Sequence, residues 1–149
     1  MSKRCKNSKL PILIAEDDFD DRLLLEEAFS SYKDVCELYF VRDGEELMEY
    51  LHRRGRYSDP KTSPVPGLIL LDLNMPKKDG RQALSEIKDD PALKEIPLVV
   101  WTTSALEEDK LRCLGAGADG YVTKPSSFHE LNEAIKTLYM DWLRVTACQ

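Results

Sequence analysis

Short aliphatic runs alternate along the chain with stretches in which apolar residues recur every three or four positions. The runs at 12–15, 38–41, 68–71, 98–102 and 120–123 predict five strands. The first, third and fourth are apolar throughout or nearly so, as strands covered on both faces are. Between them, 20–31 carries Leu24, Leu25, Ala28 and Phe29 at helical spacing behind an acidic start, and 45–53 sets Leu47, Met48 and Leu51 on one face. Residues 81–88 bring Leu84 and Ile87 together, and 107–114 form a weaker helix stopped by Gly115 and Gly117. A last helix opens at Ser126 or Ser127 and runs through Leu131, Ile135, Leu138 and Trp142. Strict alternation of strand and helix implies right-handed crossovers and an α/β fold: a doubly wound, five-stranded parallel sheet with five helices. Residues 53–67 break the rhythm. Gly55, Pro60, Pro64 and Pro66 predict a long loop there, and Arg53, Arg54, Arg56 and Lys61 read as a solvated surface, with contact to a partner as the other use.

Composition narrows the class. The 149 residues (17.0 kDa) are 42% hydrophobic and 32% charged, the balance of one globular domain, 1–149, and not of a disordered chain. A net charge of −6 argues against a basic nucleic-acid binder. No apolar run is long enough for a membrane span, and the basic, polar 1–9 segment has no apolar core behind it, so no membrane partner and a cytoplasmic location are expected. Cys5, Cys36, Cys113 and Cys148 lie too far apart for a zinc or redox pair and are expected as reduced thiols. At this length no separate effector domain is expected.

In open α/β sheets, ligands bind beyond the carboxyl ends of the strands. The first strand delivers Glu16, Asp17 and Asp18 there, the third Asp72 and Asn74, the fourth Thr102 and Thr103, and the fifth Lys124-Pro125. Strands two and three flank strand one in such folds, so Glu16, Asp17 and Asp72 converge. At an effective dielectric of about 20, two carboxylates about 4 Å apart repel by roughly 4 kcal/mol. Such a group calls for a divalent cation, and its hard oxygen ligands favour Mg²⁺. Asp18, Asp20 and Asp21 fit the start of a helix instead. A carboxylate beside a metal, a lysine and a hydroxyl make a phosphoryl-transfer site with an aspartyl nucleophile. No glycine-rich phosphate loop is present to cradle a nucleotide, so the donor is another protein or a small phospho-compound.

These residues resemble the receiver domain of two-component response regulators. Residues 12–18 look like its first strand and acidic pair, Leu70-Leu71-Asp72-Leu73-Asn74-Met75-Pro76 like its phosphoacceptor motif, with Asp79-Gly80 following. Thr102 matches its switch hydroxyl, Tyr121 its rotating aromatic, and Lys124-Pro125 its lysine with a typically cis bond. The insertion before Leu68, the Lys77-Lys78-Asp79-Gly80-Arg81 segment and Trp142-Leu143 resemble the small single-domain regulators paired with bacterial phytochromes.

The resemblance implies a flavodoxin-like receiver fold with strand order 2-1-3-4-5 and a core over 10–138. It implies a phosphoacceptor at Asp72, fed by a sensor histidine kinase or phosphorelay protein, in a signalling protein rather than an enzyme. It also implies Mg²⁺ on Asp17, Asp72 and the Asn74 carbonyl, with Glu16 acting through water, and a switch built from Thr102, Tyr121 and Lys124. Asn74 and Ser104 would flank the path of attacking water and set the phosphoryl lifetime. The apolar surplus in 139–149 (Tyr139, Met140, Trp142, Leu143, Val145) predicts a homodimer arm, joined to the fourth and fifth helices and the fifth strand. The alternative is a protein-binding module that works without phosphorylation. Such modules usually lose the acceptor, the lysine or the acidic pair, and this chain keeps all three.

Overall fold

The structure, a computed structural model, describes residues 9–75 and 77–143. Five parallel strands, β1 (Leu10–Ala15), β2 (Cys36–Val41), β3 (Leu68–Leu71), β4 (Leu98–Thr102) and β5 (Gly120–Thr123), form one sheet in the order β2-β1-β3-β4-β5. Among the described residues five α-helices connect and cover them: α1 (Phe19–Phe29), α2 (Gly44–Leu51), α3 (Gly80–Asp89), α4 (Glu107–Gly115) and α5 (Phe128–Leu138). This is the expected receiver architecture. No helix among these residues is long and apolar enough to cross a membrane.

Successive side chains of a strand point to opposite faces, so one sheet feeds two cores. Ile12, Ile14, Leu68, Leu70, Val99 and Trp101 pack against Leu25, Ala28 and Phe29 of α1 and Leu131, Ile135 and Leu138 of α5. Leu13, Ala15, Ile69, Leu71, Leu98 and Val100 pack on the other side, against Leu47, Met48 and Leu51 of α2, Ala83, Leu84 and Ile87 of α3, and Cys113 of α4. Every residue of β1, β3 and β4 is buried, whereas the outer strands β2 and β5 are partly exposed. Cys36 and Cys113 are buried free thiols; Cys5 and Cys148 lie outside the described residues.

Helix starts are set locally. Asp18, Asp43, Asp79 and Ser127 each accept a backbone N–H of the first turn, capping α1, α2, α3 and α5. Strands β1 and β2 each begin two residues earlier than the pattern predicts. Pro11 hid the start of β1, but a proline is tolerated at a strand's beginning, and its carbonyl accepts the Gly67 N–H at 2.8 Å. Leu24 is 45% exposed and does not share the buried stripe of α1.

Two further expectations are corrected. The last helix does not run through Trp142: α5 ends at Leu138 and a wider π turn, Tyr139–Leu143, follows. That turn lays Tyr139 on Tyr32, ring centroids 4.8 Å apart, and packs Trp142 on the α1–α5 core, so the two anchors expected for a second copy rest on their own chain. The Leu143 side chain and 144–149 lie outside the described residues. The second correction concerns the 53–67 loop. Arg56 and Tyr57, in a 3-10 turn at Gly55–Tyr57, reach back to the buried carboxylate of Glu46 on α2, the tyrosine hydroxyl donating at 2.8 Å. The guanidinium tip of Arg56 is thus tied to its own domain, while Arg56, Arg54 and Lys61 are all exposed as expected.

At the far edge of the sheet, opposite the carboxyl ends, Lys88 of α3 donates to the carbonyls of Lys94 and Ile96 and meets Asp119 at 3.1 Å. The same Asp119 carboxylate accepts the Leu98 N–H at 2.9 Å and so pins the first residue of β4.

Candidate functional site

The sheet register brings the chemistry together. Glu16 follows β1, its N–H still bonded to the Val41 carbonyl of β2; Asp72 follows β3, its N–H on the Ala15 carbonyl of β1; Lys124 follows β5, its N–H on the Thr102 carbonyl of β4. Each functional side chain therefore leaves the sheet where its strand ends. Gly80 lets α3 start directly against the Asp72 strand end: a Cβ at this position would collide with the Asp72 carbonyl and with Leu73 Cα. The Asn74 N–H folds back onto Asp72 Oδ1 at 3.1 Å and fixes that carboxylate's orientation.

Glu16, Asp17 and Asp72 converge as expected, one carboxylate oxygen from each lying within 4.8 Å of the others. Glu16 and Asp72 are buried; Asp17 is exposed. Lys124 Nζ stands 2.7 Å from Glu16 Oε1, 3.2 Å from Asp72 Oδ2 and 3.1 Å from Asp21 Oδ2. The Glu16 contact is an ion pair out of line for a hydrogen bond, which leaves Oε1 without a hydrogen-bond partner. Burial pushes the Glu16 carboxyl up to about 7, the Asp72 charge adding to this against the pull of Lys124. For Lys124, burial works to lower the ammonium pKa, but Glu16 and Asp72 outweigh it and hold the group firmly protonated.

One ammonium meeting three carboxylates, with Asp17 converging on two of them, leaves negative charge over. The three converging carboxylates, two of them buried, are the hard, anionic donor set that a divalent cation requires. The residues present fit such an ion.

The other predicted positions surround this cluster. Thr102 ends β4, fully buried, its Oγ1 accepting the Ser104 N–H at 3.3 Å. Tyr121 turns toward the same loop and donates to the Ser104 carbonyl at 2.9 Å. Asn74 is exposed beside Asp72, whereas the Ser104 hydroxyl points away to Asp109, donating at 2.6 Å. The Lys124–Pro125 bond is trans and not cis, the form an X–Pro bond favours by about 0.5–1 kcal/mol when nothing enforces the other.

Sequence reasoning missed Asp21 as a partner of Lys124, having assigned it to the helix start. The two residues are 103 positions apart, and nothing in a single sequence joins them. It also missed Asp109, a nearly buried carboxylate hidden in the ordinary acidic first turn of α4.

The fold and the acidic cluster define the class, and comparison with known proteins agrees. Residues 12–136 match the response regulator receiver domain, and the chain belongs to that family. It is 41% identical over 132 residues to the response regulator Rcp1 of Synechocystis, covering 89% of this chain and 88% of that one. Among solved structures it superposes on the phosphorylated cyanobacterial phytochrome response regulator RcpA with a TM-score of 0.86 at 40% identity, covering 93% and 96% of the two chains. The Mn²⁺-bound form of Rcp1 gives 0.81 at 40% identity, covering 90% and 94%. Receiver domains bind a divalent metal, and this one is related to phytochrome response regulators.

Proposed function

We propose that this chain is a phosphoacceptor switch in which Asp72 takes a phosphoryl group from the phosphohistidine of a sensor kinase or relay protein, with a phytochrome kinase as the donor its relatives suggest. The observation that carries this is Lys124 at 3.2 Å from the buried Asp72, beside two more converging carboxylates. In the transfer, a carboxylate oxygen of Asp72 forms the new O–P bond, the N–P bond of the phosphohistidine breaks, and its electron pair stays on the imidazole. Mg²⁺ held by Asp17, Asp72 and the Asn74 carbonyl, with Glu16 nearby, would neutralise phosphoryl oxygens. Lys124 supplies a fixed positive charge to the same oxygens, and Thr102 and Tyr121 carry the change to α4. Asn74 stands where water approaches Asp72. The Ser104 hydroxyl, occupied by Asp109, contributes little to the lifetime.

Phe19, Leu23 and Leu24 on α1 are exposed, and Leu24 shares a shallow cleft with Lys124 and Pro125. An apolar rim around an acidic site suits the docking of a donor protein's helices. The same reading includes a homodimer through α4, β5, α5 and 139–149, supported by Leu106 at the cap of α4 and Leu111 and Leu114 along it, all exposed, and by the position of β5 at the end of the sheet. It places the chain in the cytoplasm, where buried thiols stay reduced.

Incubation with acetyl phosphate and Mg²⁺, followed by intact-mass measurement, tests the reading. A single phosphate adduct is expected, lost in Asp72→Asn and on chelation of Mg²⁺. A chain that stays unmodified, or an adduct that persists in Asp72→Asn, overturns it and favours a binding module independent of phosphorylation.

A further inference from the structure

Ser104 is fastened at three points. Its N–H donates to Thr102 Oγ1, its carbonyl accepts from Tyr121, and its hydroxyl donates to Asp109 Oδ2. The third point is the charged one. Asp109, on the first turn of α4, is 9% exposed, and the same Oδ2 accepts from Arg81 Nη2 at 3.3 Å. Arg81 lies on the first turn of α3 and also meets Asp79 at 3.6 Å, the residue that caps that helix. The chain Asp79–Arg81–Asp109–Ser104 thus bridges the loop after Asp72 and the loop after Thr102. The Ser104 hydrogen bond, aided by the Arg81 charge, holds the Asp109 carboxyl below its ordinary range, so it is ionised at neutral pH.

Swinging the Thr102 hydroxyl toward a group on Asp72 would either give up the bond its Oγ1 accepts from the Ser104 N–H or draw Ser104 away from α4 with it. A hydrogen bond to an ionised carboxylate is stronger than the neutral ones beside it, so the Asp109 contact dominates the cost of moving the loop. We propose that Asp109, steadied by Arg81, is a latch that holds Ser104, and through it Thr102, in the arrangement of the unmodified protein. The latch rests on the reading of Asp72 as phosphoacceptor and adds to it: the resting state is held by a charge-assisted bond across two helices, and the modified state must open it. Asp109 touches neither the phosphoryl group nor the ion and acts as a positioning residue.

Beryllium fluoride with Mg²⁺ mimics an acyl phosphate on the acceptor carboxylate and needs no kinase. Titration of the full chain is followed by tryptophan fluorescence, Trp101 being buried on β4 next to Thr102. Asp109→Asn is expected to bind beryllium fluoride about three- to tenfold more tightly than the parent, the range set by one hydrogen bond that opens on switching. Mg²⁺ affinity without fluoride is expected to stay unchanged. Arg81→Gln should shift the affinity in the same direction by a smaller factor, and the double variant should bind no more tightly than Asp109→Asn alone. Damage to the loop alone would weaken binding. Equal or weaker binding by Asp109→Asn, or additive effects in the double variant, overturns the latch while the acceptor reading stands. A parent whose titration matches that of Asp72→Asn overturns both.

Discussion

Glu16, Asp21 and Asp72 share one ammonium group, and Glu16 is only 1% exposed. Removing Lys124 leaves a buried carboxylate with no countercharge. Breaking a buried pair from one side costs about 3–5 kcal/mol. Glu16, its pKa already pushed up to about 7, takes up a proton once Lys124 is gone and offsets part of that cost. Lys124→Ala is therefore expected to lose stability at neutral pH in the absence of divalent ions, by less than that range, measured by urea unfolding. Added Mg²⁺ should restore more stability to the variant than it adds to the parent, because the ion then supplies the missing positive charge. Equal gains in both proteins would show that the ion and Lys124 do not share the same carboxylates.

Most of these residues were legible in the sequence, since each follows a run whose apolar character marks the end of a buried strand. The pairing of Lys124 with Asp21 was not, because it depends on how far α1 leans over the sheet, and Asp21 serves equally well as an ordinary acidic residue of a first helical turn.

Among the elements, β3, β4 and β5 were predicted to the residue, because the runs that form them are bounded by polar or turn residues on both sides. Helix α1 was harder: Phe19, Leu23 and Leu24 face outward, so its pattern is nearly as apolar outside as inside. The insertion at 53–67 was read as solvated charge because its internal partner, Glu46, lies ten residues away on a helix. Burial works against ionisation of Glu46, but hydrogen bonds from the Arg42 N–H and the Tyr57 hydroxyl, with the Arg56 charge, hold its pKa below the ordinary 4.5. A group whose pKa is lowered on folding stabilises the fold above its unfolded value, and that share is lost as pH falls through the folded value. Stability of the parent should accordingly fall below about pH 4.5 more steeply than that of Glu46→Gln, as followed by thermal unfolding across pH 3–7. At neutral pH Glu46→Gln should be the less stable, by about 1–3 kcal/mol for the weakened buried contacts. Parallel pH profiles would remove Glu46 from the anchoring of the loop.

For the molecule as a whole, the doubly wound parallel sheet followed from strict alternation of strand and helix, its strand order from the family resemblance, and the sheet separates the two helical layers. What the alternation did not reveal is where the C-terminal apolar surplus goes. Tyr139 and Trp142 turn inward, and among the described residues the apolar side chains exposed on the face proposed for dimerisation are Leu106 at the cap of α4, Leu111 and Leu114 on it, and Met140. The homodimer reading is therefore tested better on α4 than on the aromatic pair. Leu111→Asp, at a residue 61% exposed, should leave stability within about 0.5 kcal/mol of the parent and shift the light-scattering mass from dimer to monomer. A parent already monomeric at tens of micromolar would end that reading.

The clamp at the far edge of the sheet gives β4 a mechanical character. Leu98 is held by Asp119, and Asp119 by Lys88, whose ammonium also gathers the carbonyls of Lys94 and Ile96. The other end of the strand, Thr102, meets the loop that the side-chain bonds of Ser104 retain. Pairing with β3 stops at Val100, so beyond it the Thr102 end of β4 is held by β5 alone, whereas Leu98 is anchored by Asp119 as well as by the sheet. With only three residues between the two ends, a shift after Thr102 would be confined to the end of β4 that leads into α4 and would leave the Leu98 end in place.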